Sequence, residues 1–171
     1  MEVLNAPMPN PIEFRIEGDE TISIWISSEA IKTMLKASSK AGCSETGGIL
    51  IGRYTPESWF ADIVEATPKP KGSQAGRFWF QRSNSGLSNL LADRWNDGYH
   101  YLGEWHYHPN SAPIPSNSDI LAMREIANDD DYQCPNPILV ILGGNPALDW
   151  TISITLFRKG EILRLCEYTV T

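Results

Sequence analysis

Two histidines and an aspartate at short range carry the strongest chemical signal in this chain: His106-Tyr107-His108-Pro109, a loop, and then Ser116-Asn117-Ser118-Asp119. In an extended strand, residues i and i+2 share a face. His106 and His108 can therefore offer both imidazoles to one point while Trp105 and Tyr107 face the other way. A catalytic zinc takes three protein ligands and one water, with nitrogen and oxygen donors at about 2.0–2.2 Å, and Asp119 in the first turn of a following helix can be the third ligand. Each part also has an ordinary explanation. S-x-x-[DE] before an apolar helical pattern is a helix cap, and two histidines on one strand face are more often plain hydrogen-bond partners. Their conjunction favours a metal, and such a donor set accepts iron or other divalent ions as well as zinc. Glu104 shares the face of the two histidines and reads either as a proton carrier or as a group that orients a ligand. His100 lies outside the pattern, near a helix end, and reads as a capping or solvent contact there.

These residues need elements to hold them. Residues up to about Pro11 are rich in Pro and Asn and read as a loose tail, leaving residues 13–171 as a single domain. Thr21 to Ser27 alternates as a strand. Ser27 or Ser28 caps a helix over about 29–41, with Ile31, Met34 and Leu35 on one face and Gly42 as its stop. Gly47 to Arg53 and Trp59 to Ala66 read as strands, followed by the broken loop 67–77 and an alternating strand RFWFQR at 77–82. A second helix, about 85–98, sets Leu87, Leu90, Leu91 and Trp95 at helical spacing and leads into the strand YLGEWHYH. A third helix starts near Ser116 with Ile120, Met123 and Ala127 inward. The strand PILVILGG follows, then a hairpin of DWTISITLF and EILRLCEY around Lys159-Gly160. The class expected is α/β, a mixed central sheet packed by about three helices.

Within that layout the resemblance to a known family is specific. His106-x-His108-Pro109 with Ser116 and Asp119 matches the JAMM/MPN zinc metalloprotease motif without a substitution. Glu45, in Ser44-Glu45-Thr46-Gly47-Gly48-Ile49-Leu50-Ile51-Gly52, resembles the family's segment in which a Glu stands just ahead of a glycine-led strand. GEWHYHP and ETGGILIG are most similar to compact bacterial members, including deconjugases of CBASS antiphage operons. The resemblance implies the deaminase-like JAMM fold, Zn2+ held by His106, His108 and Asp119, Glu45 as the proton carrier, and the Ser116 hydroxyl on the tetrahedral intermediate. It favours Glu45 over Glu104 in the catalytic role. It also implies hydrolysis of an amide bond, often an isopeptide bond to a ubiquitin-like modifier. In the bacterial enzymes that bond joins the C-terminal tail of a cyclic-oligonucleotide synthase (CD-NTase) to its target.

Other readings remain open at this level. A non-catalytic MPN scaffold shares the fold, although the ligand set here is intact. A JAMM peptidase acting on linear peptides shares every active-site residue. A zinc nucleobase deaminase requires H-x-E and P-C-x-x-C, whereas this chain has Cys134-Pro135 in the wrong order and no cysteine pair. Gly47 and Gly48 suit either close approach of a substrate backbone or the turn into a buried strand. Lys69 and Lys71 read as grips on a modifier or as a solvated loop, and Asp129, Asp130 and Asp131 read as a solvated run. The six tryptophans default to core or interface packing.

Composition narrows the partners. A net charge of −7 and no Lys/Arg run argue against a nucleic-acid partner. No stretch approaches the roughly 18 to 20 apolar residues of a membrane span, and MEVLNAPMPNP lacks the features of a signal peptide. Three scattered cysteines suggest no disulfide framework. Cytoplasm is the expected compartment.

Overall fold

The computed structural model describes residues 7–55, 59–158 and 160–169. The start of the expected N-terminal tail and Lys159 of the expected last turn lie outside the described residues. In chain order the elements are β1 Ile12–Ile16, β2 Asp19–Ile26, α1 Ser28–Ala41, β3 Thr46–Thr55, β4 Phe60–Ala66, β5 Gln74–Ala75, β6 Phe80–Gln81, α2 Leu87–Asn96, β7 His100–Pro109, α3 Asn117–Asn128, a 3-10 turn at Asp130–Tyr132, β8 Ile138–Asn145, β9 Asp149–Arg158 and β10 Glu161–Glu167.

The strands form a mixed sheet, as expected, but it curls until its edges meet. The order around the resulting barrel is β1-β10-β9-β8-β7-β3-β4-β2. Among the described residues, only β7–β8 and β2–β4 pair in parallel. Among the described residues, closure leaves the barrel itself no open edge strand to protect. It rests on β1, a strand that adjoins the Pro/Asn-rich tail and carries no alternation long enough to mark it in the sequence.

Two apolar clusters occupy the two faces of the sheet. Inside, Phe14, Ile24, Leu50, Trp105, Tyr107, Val140 and Leu142 pack with Ile31, Met34 and Leu35 of α1. Outside, Ile49, Ile51, Leu139 and Ile141 pack with Met123 and Ile126 of α3, with Leu87, Leu90 and Leu91 of α2 lying against them. A sheet covered on both faces has no polar side, which is why PILVILGG is apolar throughout. The helix ends follow their signals. Ser27 Oγ accepts from the Ala30 amide, and Gly42 stops α1 at φ +64 while donating to the Ser38 carbonyl.

Two expectations fail for lack of partners. RFWFQR alternates but yields only Phe80–Gln81 as strand, because its single neighbour is the two-residue β5. Phe78 and Trp79 are left 79% and 51% exposed. The second helix is shorter than expected and has no fully buried residue, and Trp95 at its end is 61% exposed. Instead of capping a helix, His100 opens β7 with its ring edge-on to Trp95 and Tyr54. Trp105 follows the default role for tryptophan, being fully buried with Nε1 donating to the Thr67 carbonyl at 2.8 Å.

Candidate active site

Strands β3 and β7 build the platform. Their antiparallel register places Thr46 opposite Tyr107, Gly47 opposite His106 and Ile49 opposite Glu104. Alternation from Thr46 puts Glu45, one residue earlier, beside His108 on the outer face. Glu45 Oε1 lies 4.0 Å from His108 Nε2. The glycines now have a packing explanation. A Cβ on Gly47 would stand 2.3 Å from the Trp105 carbonyl oxygen and 3.0 Å from the His106 ring, and one on Gly48 would stand 2.2 Å from the Thr67 carbonyl oxygen.

Helix α3 delivers the carboxylate. Ser116 is its N-cap and Asp119 its N3 residue, joined in a reciprocal capping box: the Asp119 amide donates to Ser116 Oγ, and the Ser116 amide donates to Asp119 Oδ2 at 2.7 Å. The candidate ligand is thus itself a partner in the cap. The box fixes the carboxylate, leaving Oδ1 to meet His106 Nδ1 at 2.8 Å while Oδ2 lies 3.4 Å from His108 Nε2. The Ser116 hydroxyl also reaches Oδ2, at 2.8 Å.

Electrostatics follow from these contacts. Burial alone would raise the Asp119 pKa, but hydrogen bonds from His106 and His108 outweigh it and hold the carboxyl far below the usual carboxylate range. Burial would lower the His108 pKa, whereas the Asp119 and Glu45 carboxylates raise it. Glu45 is shifted up, mainly by burial, with Asp119 adding repulsion and the histidines opposing it. The site therefore holds two carboxylates of different character: Asp119, fixed as an anion, and Glu45, inclined to take up a proton.

The donor chemistry fits a divalent metal: two imidazoles and one carboxylate, each largely shielded from solvent. Ligands at about 2.0–2.2 Å on a tetrahedral ion stand about 3.3–3.6 Å apart. The His108–Asp119 separation of 3.4 Å agrees with that, whereas the 2.8 Å His106–Asp119 contact is a direct hydrogen bond that an ion would have to open. In keeping with that contact, no three such donors among the described residues already surround a common point at ligand distance.

Glu104 is engaged elsewhere. Arg82 grips it with two bonds, Nε to Oε2 at 2.7 Å and Nη2 to Oε1 at 2.8 Å, and the Tyr101 hydroxyl adds a third at 2.7 Å. Both oxygens are occupied and the residue is buried. Sequence reasoning missed Arg82. An arginine at the end of an aborted strand gives no local sign of a partner so distant in the chain. Beside it, the Phe80 ring meets the His106 ring edge-on at 5.4 Å between centroids. Phe80, Arg82, Glu104, His106 and Met123 line a groove of ≈ 370 Å³.

Comparison with known proteins places the chain among relatives. The family model described as prokaryotic homologs of the JAB domain matches residues 27–153, a span that includes all five candidate site residues. The chain is 46% identical over 160 residues, covering 93% of it and 88% of the relative, to the CD-NTase/cGAS isopeptidase of Enterobacter hormaechei subsp. hoffmannii. It is 30% identical over 131 residues, covering 72% and 77%, to the probable metalloprotease y4qB of Sinorhizobium fredii. The solution structure of protein DSY2949 from Desulfitobacterium hafniense shares the fold at TM-score 0.62 and 20% identity, over 81% of this chain and 87% of that one.

Proposed function

Because the chain belongs to the family of prokaryotic homologs of the JAB domain, we propose that it is a zinc-dependent isopeptidase that releases a conjugated CD-NTase from its targets, a reading prompted by its 46% identical relative, which is named a CD-NTase/cGAS isopeptidase. The observation that supports this most is the meeting of Glu45 with the His106–His108–Asp119 cluster, brought together from two strands and a helix cap. The deaminase-like JAMM description of the fold belongs to the same reading.

His106, His108 and Asp119 would hold the zinc. When bound, it supplies Lewis acidity, lowering the pKa of water from 15.7 toward about 7 and polarising the scissile carbonyl. Glu45 takes the proton from the attacking water; its burial-raised affinity for protons suits it to hold that proton and pass it to the departing amine. The Ser116 hydroxyl, at the mouth of α3, donates toward the oxygen on which charge develops. This requires it to turn from Asp119 Oδ2, which the Ser116 backbone amide continues to satisfy. No covalent intermediate is needed. The same geometry would hydrolyse a linear peptide, so bond type is a matter for assay.

Two measurements test the reading. Metal content per folded chain should be near one zinc in the wild type and should fall in His108→Ala. Turnover of a CD-NTase-tail isopeptide conjugate should drop by about 10²–10⁴-fold in Glu45→Gln, with the metal retained. Undiminished turnover in that variant removes Glu45 from the mechanism, and protein that cannot be loaded with zinc favours the scaffold reading. Faster cleavage of a linear peptide of the same sequence would reassign the bond.

A further inference from the structure

The β5–β6 hairpin has no place in the barrel, forming a separate two-stranded sheet held by only two residue pairs. A hairpin of that size is not stable on its own in water, so something else holds it beside the site. Two attachments are visible. At one end, the Gly76 carbonyl accepts the Glu45 amide at 2.8 Å. At the other, Arg82, the residue after β6, is buried in its two-bond pair with Glu104 of β7 and also donates to the Tyr132 hydroxyl at 2.9 Å and Asn84 Oδ1 at 2.7 Å. Between the two lies Phe80, against His106.

We propose that Arg82 is a positioning residue: its buried pair with Glu104 anchors the β5–β6 hairpin to β7, and through the hairpin sets the Glu45 backbone and the His106 ring in register with each other. The inference rests on the proposed roles of Glu45 and His106 and adds a residue outside that set. Its physical basis is the cost of the pair. The Arg82 and Glu104 side chains are only 9% and 4% exposed, and a buried ion pair contributes little net stability compared with an apolar pair of similar volume. What it does supply is direction. A guanidinium fork on a carboxylate fixes both distance and plane. Glu104 stands two residues before His106 on the same strand face, so the fork ties the hairpin to the segment that carries the histidines.

Arg82→Ala alone would leave a buried carboxylate unpaired and could fail to fold. The informative variant is Arg82→Met with Glu104→Gln, which removes both charges and keeps an acceptor for the Tyr101 hydroxyl. Two quantities are read: kcat and KM on the isopeptide conjugate, and the hydrogen-exchange rate of the Glu45 amide, which needs neither metal nor substrate. With a melting temperature close to wild type, kcat should fall by about tenfold or more, the scale on which displacements near 1 Å act. KM should stay within about twofold, and Glu45 amide exchange should accelerate. Arg82→Lys, which keeps the charge and loses the fork, should show the same split between kcat and KM to a smaller degree, and it becomes the deciding variant if the double substitution does not fold. Wild-type kcat together with unchanged Glu45 exchange in the folded variant would make the pair purely structural and overturn the inference. A wild-type protein without zinc or turnover would sink the functional reading instead, and the exchange comparison would still test the tether.

Discussion

Asp119 does two jobs that look like competitors in the sequence. As the N3 residue of a capping box it satisfies the Ser116 amide, and through its other oxygen it faces His106. A side chain pinned at one end presents the other with little loss of rotamer entropy, which is what a metal ligand requires. Its depressed pKa carries a consequence for the metal-free protein. The folded value lies below the unfolded one, so Asp119 contributes stability above the unfolded pKa of about 3.8, and that contribution is lost as pH falls through the folded value. Metal-free wild type should therefore lose melting temperature more steeply as pH falls from about 5 to about 2 than metal-free Asp119→Asn. Equal slopes in thermal melts would mean that the carboxylate is not held as an anion by its neighbours.

At the level of elements, the site depends on how closely β3 and β7 run. Gly47 lies where the Trp105 carbonyl, the Phe80 ring and the His106 ring converge, so a methyl group there must push strand or ring aside. Gly47→Ala should cost about 1–3 kcal/mol, the range for overpacking a well-filled site. It should also weaken metal retention, because the His106 ring is, with that of Phe80, one of the two rings the methyl group meets. Urea unfolding together with metal content checks both, and a variant with wild-type stability would show that the two strands have slack. The aborted strand at RFWFQR belongs to this scale as well. Alternation marks a face that can be half-buried, but strand length is set by a neighbour to pair with, and β5 offers two residues. The same segment supplies Phe80 and Arg82, so the failed pattern marks a part of the chain whose work lies at the site.

The whole molecule depends on a seam. β1 closes the barrel by pairing with β2 along its length and with β10 only at Phe14–Glu167 and Arg15–Cys166. Arg15 stacks over the Tyr168 ring at 3.9 Å, and the Tyr168 amide donates to the Glu13 carbonyl at 2.8 Å. Phe14, 2% exposed, is the large apolar residue that β1 contributes to the inner core. Phe14→Ala should destabilise the fold by about 3–5 kcal/mol. Its kcat at low temperature should stay near wild type, since the seam lies on strands that carry none of the site residues. A urea midpoint unchanged from wild type would show that closure does not depend on β1 packing.

The candidate ligand pattern was legible because it is local. Residues two apart on a strand share a face whatever surrounds them, and a cap with its N3 residue is set within one helical turn, so His106, His108, Ser116 and Asp119 could be placed from spacing alone. The strands and helices around them were legible from periodicity, apart from β1, the short β5 in the expected loop, and the pieces of 77–82. Glu45 needed the family resemblance, since its approach to His108 arises from the register of two strands far apart in the chain. The partner of Arg82 and the closure of the sheet into a barrel belong to the tertiary structure alone. Each depends on contacts between segments distant in sequence, and neither periodicity nor spacing encodes which distant segment will arrive.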